Sequence, residues 1–353
     1  VVSLGITGVC FWWTFRNTHW DEMWASLRTA RWWMLVPYMA VLFGIHMCRT
    51  LRWGNLLSGM EKVKFGPLNE ASAIGFMMLL VLPFRLGEFA RPFLIAERSS
   101  IRRSAAMTTV VFERIVDGIV IAVLLRVLLF FVPADATNIS VMRAGANIMF
   151  AIFGSGLLFL VLARWQQART EAFLRAVIES LHFALGAVTD KVAGKVIYVV
   201  NGFVNALRQL PDRKNLLLFF CWTAVYWTIN GIGMSLLAGA FSLDVSLFQG
   251  FVILSVLIVG IMIPAGPGSA GTFQAFVLLG LGLFLPKDTV NGPGVAYANA
   301  LWVVQITQQI AFGLLLMLLS HRSFRDIAGK LGADAEAKKE PGDEGANKLK
   351  VRA

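Results

Sequence analysis

The sequence is short of charge. Of its 353 residues 15% are Asp, Glu, Lys or Arg and 57% are hydrophobic, where a soluble globular chain carries about 25% charged residues. A water-soluble core of this size cannot hide that much apolar surface, so a soluble enzyme or carrier is excluded and the bilayer takes the part of solvent. Cysteine is scarce too. Cys10, Cys48 and Cys221 lie far apart in apolar segments; they read as small buried hydrophobes, not as a disulfide framework or a metal site. The four histidines, at 19, 46, 182 and 321, have no partner at ligand spacing, so neither metal nor other cofactor is expected. No G-x-x-x-x-G-K-[ST] run is present. Gly194-Lys195 and Gly329-Lys330 lack its remaining elements, which removes the usual cradle for a nucleotide triphosphate. Period-two alternation is missing from the long apolar blocks, which excludes an outer-membrane barrel. No basic patch interleaved with aromatics lies outside those blocks. The net charge of +11 is therefore read as Lys and Arg gathered on the cytoplasmic side of a membrane, not as a nucleic-acid surface.

What is present is a set of long apolar blocks. A spanning helix needs about 20 mostly apolar residues. Residues 32–48 extended at their ends, 104–132, 144–163, 214–241 and 295–320 reach that length, and 1–15 read as part of a further span. Neither a basic n-region nor a small-residue cleavage site marks 1–15 as a signal peptide. The expected fold is an all-α polytopic membrane protein with about six full transmembrane helices.

Two further apolar stretches are too short to cross and end in breakers. Ala71 to Phe84 stops in LPFRLGEFARPFLI; Phe248 to Ile263 breaks in PAGPGSAG and resumes from Thr272 to Leu285. Segments of this kind suit re-entrant or broken helical hairpins whose backbone lines protein or a watery cavity. The breaks are Pro83 and Gly87 in the first and Pro264, Gly266, Gly268 and Gly271 in the second. Pro83 and Gly87 recur as Pro264 and Gly268, 181 residues on, and the same offset lays 32–48 over 213–229 and 104–132 over 285–313. Paired, interrupted segments in two halves point to an inverted repeat with a transport site between them. The transmembrane domain then covers 1–320, with halves of about 1–143 and 144–320. If the 71–96 hairpin returns to its own side, the inside segments 49–64, 85–103, 164–214 and 321–353 hold 25 Lys and Arg against 5 in the outside segments. That bias places the C-terminus in the cytoplasm of a bacterial-type inner membrane. Full crossing of 71–84 with the reverse orientation gives 24 against 6, so the hairpin rests on segment length and the repeat. Within 164–213, Leu174, Val177, Ile178, Leu181 and Leu185 recur at helical spacing, as in a helix lying on the cytoplasmic interface. Residues 321–353 read as a disordered cytoplasmic tail.

Charge inside a spanning helix costs roughly 2.5–3.5 kcal/mol per residue on insertion scales. Glu113, Arg114 and Asp117 nevertheless stand together in TTVVFERIVDGIVIAV. Glu113 and Asp117 share a helix face, and Arg114 is spaced to pair with Asp117. Arg85, Glu88 and Arg91 surround Gly87 at the first break; the planar fork of Arg suits phosphate, while Glu88 would balance an arginine or receive an amine. Gln274 offers a neutral polar group beside the second break. Arg126 reads as snorkelling to the outer surface.

LPFRLGEFARPFLI, then ERIVDG some twenty residues on, then PAGPGSAGTFQAF after a long gap, resemble the lysylphosphatidylglycerol synthase transmembrane family, whose members are also described as having a flippase-like domain. The resemblance spans roughly residues 1–320. It implies movement of phospholipid between leaflets, with a separate soluble domain attaching the amino acid in bifunctional members; no such domain follows Ser320 in this sequence. The family usually has glutamate where this chain has Gln274. The reading is therefore a flippase-like, non-enzymatic transporter of a phospholipid or other lipid-phosphate, with anionic or aminoacylated phospholipid as its partner. An intramembrane enzyme acting on a lipid phosphate, or an accessory subunit of a separate synthase, are the alternatives.

Overall fold

The computed structural model describes residues 2–82, 87–133, 139–165, 211–262 and 266–321. Pro83, Arg85, Pro264, the tail after His321 and all but the ends of the 164–213 insertion lie outside these residues. Among the described residues every regular element is helical and no strand occurs, so the chain is an all-α polytopic membrane fold. Four stretches are long and apolar enough to cross a bilayer: Trp32–Leu57, Ile139–Phe159, Arg213–Ala240 and Lys287–Leu319.

In chain order the helices are α1 (Val2–Phe15), α2 (Trp20–Thr29), α3 (Leu35–Leu57), α4 (Phe65–Val81), α5 (Ala90–Ala96), α6 (Arg103–Phe130), α7 (Ile139–Trp165), α8 (Arg213–Ala240), α9 (Leu247–Ile261), α10 (Thr272–Leu281) and α11 (Val295–Leu319). Their starts follow local chemistry. The Asp212 side chain accepts from the Asn215 amide to open α8, and Ser246 and Gln249 cap α9 reciprocally, which satisfies donors that a helix start leaves free. α11 is preceded by a π-turn over Val290–Gly294 that accommodates Pro293, a residue that cannot donate to the α ladder.

The 181-residue offset carries four successive elements onto four others. It carries α3 to 216–238, α4 to 246–262, α5 to 271–277 and α6 to 284–311, which fall on α8, α9, α10 and the Lys287–Leu319 stretch. The pairings repeat as well: α3 packs on α4 as α8 does on α9, α4 on α5 as α9 on α10, and α4 on α11 as α9 on α6. The tightest pairing is between the equivalent helices α3 and α8. Met34 meets Gly239, Gly44 meets Ile229 and Arg49 meets Tyr226; as one number rises the other falls, so these two helices run antiparallel. Two spanning helices related in this way cross in opposite directions, which is the reversal that the offset predicts.

α4 with α5, and α9 with α10, form antiparallel pairs separated by the breaks. Gly75 faces Arg91 and Gly87 faces Met78 in the first; Gly260 faces Phe276 and Gly280 faces Ile253 in the second. α4 has 17 residues and α9 has 15, about 22–26 Å at 1.5 Å per residue. Both are shorter than the roughly 30 Å thickness of hydrocarbon. Gly268 and Gly271 have φ of 62° and 77°, a backbone that glycine adopts without strain; they turn the chain back between α9 and α10.

Candidate functional site

The site is built on the face shared by α3, α6 and α5. α6 carries Glu113 and Asp117 one turn apart, and both are buried, as is Arg52 of α3 at 1% exposure. Arg52 donates to Glu113 Oε1 from Nε at 3.0 Å and from Nη2 at 2.6 Å, and to Asp117 Oδ1 and Oδ2 at 2.7 and 2.6 Å. Arg91 of α5 donates from Nη1 to Glu113 Oε2 at 3.1 Å. All four carboxylate oxygens thus accept from arginine. Removing these ions from water is costly, and hydrogen bonding at this density is what makes the burial tolerable. The Arg91 stem passes through the space left by Gly75. Its guanidinium lies between the Trp53 and Phe76 rings, 4.3 and 4.7 Å from their centroids.

Two more arginines stand beside this network without a carboxylate. Arg49, one turn before Arg52, donates to the Tyr226 hydroxyl at 3.2 Å and to Gln309 Oε1 at 3.4 Å, with its guanidinium over Phe76 at 4.5 Å. Arg114 makes no ion pair among the described residues, and its Nε is buried without a hydrogen-bond partner. The pairing of Arg114 with Asp117 that the spacing suggests does not form. Arg52 holds both Asp117 oxygens, and Arg114 stays outside ion-pair distance of Asp117.

Arg49 and Arg114 both line a cavity of about 200 Å³. Its polar wall includes Asp117, Tyr226, Asn230, Gln305 and Gln309, and its apolar wall includes Phe76, Trp302 and Phe273. Residues from both breaks border it: Leu79, Leu80 and Leu82 from the end of α4, and Met262, Gly266, Gly268 and Ser269 from the second. Trp302 Nε1 donates to the Gly268 carbonyl at 2.9 Å and fixes that turn. The two hairpins that the sequence separates by 181 residues therefore meet at one cavity.

The sequence-derived candidates distribute unevenly over this geometry. Glu113, Arg114, Asp117 and Arg91 come together. Glu88 is half-buried and, with Gly87, borders a narrow gap beside Arg91 and Arg114, not the main cavity. Gln274 is buried and does not line the cavity; its Oε1 accepts from the Gly271 amide at 2.8 Å and its Nε2 donates to Asn299 at 3.3 Å, so it caps α10. Arg126 is exposed and donates to Asn147 on α7. Arg49 and Arg52 are the residues sequence reasoning missed. They sit just past the apolar block 32–48 and read as the inside segment 49–64, yet α3 continues through them to Leu57. The signal was there. Trp53, Leu56 and Leu57 extend the helical apolar pattern beyond the arginines, which places Arg52 on the buried face.

The family model of the lysylphosphatidylglycerol synthase TM region matches residues 1–320. The chain belongs to that family. No curated protein and no solved structure matches it. Membership gives this lysylphosphatidylglycerol synthase TM region protein a lipid-related role in a membrane, and the match is to the TM region alone. The three stretches that carry the resemblance are, in the structure, the first break, the ion network and the second break.

Proposed function

We propose that this protein moves a phospholipid or other lipid-phosphate between leaflets. The headgroup passes through the cavity between the two hairpins while the acyl chains stay in lipid. The observation that carries this reading is the pair of arginines, Arg49 and Arg114, that line the cavity with no ion-paired carboxylate of their own among the described residues. A guanidinium without a counter-charge inside a bundle is costly, and phosphate offers both the charge and the acceptors. The reversed repeat supports transport, because two halves of opposite direction around a central site suit access from either face. In this reading α4–α5 and α9–α10 are re-entrant. The C-terminus lies in the cytoplasm of the inner membrane, as the count of 25 Lys and Arg inside against 5 outside supports. No reaction is assigned to the site.

The test is reconstitution into liposomes with fluorescent phospholipid, reading label that reaches the opposite leaflet. Wild type moves label; Arg114→Gln and Arg49→Gln slow it about tenfold or more, the loss expected of one charged hydrogen bond, with the same thermal stability as wild type. Absence of movement across a broad lipid panel would sink the reading. A change in lipid mass during the assay would favour an enzyme instead.

A further inference from the structure

The charges around the cavity are not balanced, and the imbalance has a direction. Arg49, Arg52, Arg91 and Arg114 face Glu113 and Asp117, with Glu88 as a third carboxylate in the side gap beside Arg91 and Arg114 and outside the cavity wall. Glu113 and Asp117 are consumed inside the network: Arg52 takes three of the four carboxylate oxygens and Arg91 the fourth. Asp117 is the only carboxylate among the described residues of the cavity wall, and both its oxygens already accept from Arg52. A cationic headgroup therefore meets two guanidiniums that lack an ion-pair partner among the described residues, and a cavity wall whose one described carboxylate is already taken. An anionic headgroup meets the reverse.

We infer that the cavity selects lipids whose headgroup carries net negative charge and rejects aminoacylated ones, and that Arg52 sets this preference. The inference rests on the lipid-transport reading and narrows its substrate. Arg52 does not line the cavity. It acts by occupying Asp117, which stands three residues from Arg114 on α6 and would otherwise pair with it. The neutral wall agrees. Applying the 181-residue offset, the position of Arg49 falls on Asn230 and that of Arg52 on Gly233, both in the lining. The second half thus supplies hydrogen-bonding groups and space, and the first half supplies all the charge.

The experiment uses the full chain in nanodiscs holding equal parts phosphatidylglycerol, phosphatidylcholine and lysylphosphatidylglycerol, with bound lipid counted by native mass spectrometry. Wild type retains phosphatidylglycerol over the other two by about tenfold. Arg52→Gln frees Asp117 to capture Arg114, so the preference collapses toward one. Arg52→Gln combined with Asp117→Asn has the same net charge as wild type and brings the preference back. That recovery is not expected if Arg52 only holds the fold together, and it carries the test should the single variant fail to accumulate. Retention of lysylphosphatidylglycerol equal to or above phosphatidylglycerol overturns the inference and leaves the lipid site standing. So does a double variant that folds without regaining the preference. If wild type retains none of the three lipids, the transport reading falls with it.

Discussion

Glu113 accepts from arginines on two different helices, Arg52 on α3 and Arg91 on α5, so one side chain ties three helices together. Glu113→Leu strands the buried Arg91 guanidinium and leaves Arg52 with Asp117 alone. The expected loss is about 3–5 kcal/mol, the usual result of removing one partner from a buried pair, seen as a lower melting temperature in detergent. Arg126→Ala gives the comparison. It removes an exposed contact to Asn147, and its effect stays within about 1 kcal/mol. At this scale the sequence is legible where a charge interrupts an apolar run. Glu113, Arg114 and Asp117 stand out because hydrocarbon makes them expensive. Arg49 and Arg52 do not, because an arginine at the end of an apolar block looks the same whether it anchors at the headgroups or turns inward. Gln274 is a third case. A polar side chain beside a break faces either the gap or its own backbone, and spacing alone does not distinguish the two; here it caps the helix.

Among the elements, the first hairpin depends on Gly75. A methyl there would overlap the Arg91 stem, so Gly75→Val displaces Arg91 from Glu113 as well as pushing α5 off α4. The expected outcome is a fall in stability of about 1–3 kcal/mol, typical of overpacking, with loss of lipid movement in the same preparation. Beyond the hairpin, the loop after α3 is tied to the loop after α5. Glu61 accepts from the Ser100 amide and hydroxyl, both at 2.7 Å. The Ser100 hydroxyl, followed by its amide, holds the Glu61 carboxyl below the usual carboxylate range. The tie is therefore complete at neutral pH and is lost only as pH falls through that lowered value. Glu61→Gln should speed hydrogen exchange at the Ser100 amide at pH 7 with little change in melting temperature. The hairpins themselves are readable from short apolar stretches ending in Pro and Gly. The π-turn at Val290–Gly294 is not. Pro293 there resembles any other breaker in sequence, and only its packing shows that the helix runs on through it. That packing places α2 against the turn, with His19 donating its amide to the Asn291 carbonyl at 3.0 Å.

For the whole molecule, the 181-residue offset visible at two prolines and two glycines extends to helix boundaries and pairings, because each half must bury the same faces against the other. Its expected consequence is opposite sidedness of equivalent loops. Lys62 maps to 243, next to Asp244, and both Lys62 and Asp244 are exposed. With the native cysteines replaced, Lys62→Cys and Asp244→Cys in intact cells should react with a membrane-impermeant maleimide from opposite faces. Labelling of both from one face contradicts the reversal. Taking the buried Arg52 and Arg91 and the half-buried Arg49 out of the total for the segments expected inside leaves 22 against 5, so the expected charge bias does not rest on them.

Contacts between α3 and α8 pair residues whose numbers sum to about 275, as with Arg49 and Tyr226, so the axis relating the halves passes close to His46 and Trp227. Two identical halves would place Arg49 and Arg52 twice each around that axis, and four guanidiniums would crowd the space where two now stand. The chain instead carries Asn230 and Gly233 at the equivalent positions. A site of one charge at the centre of the repeat thus needs two halves of different sequence.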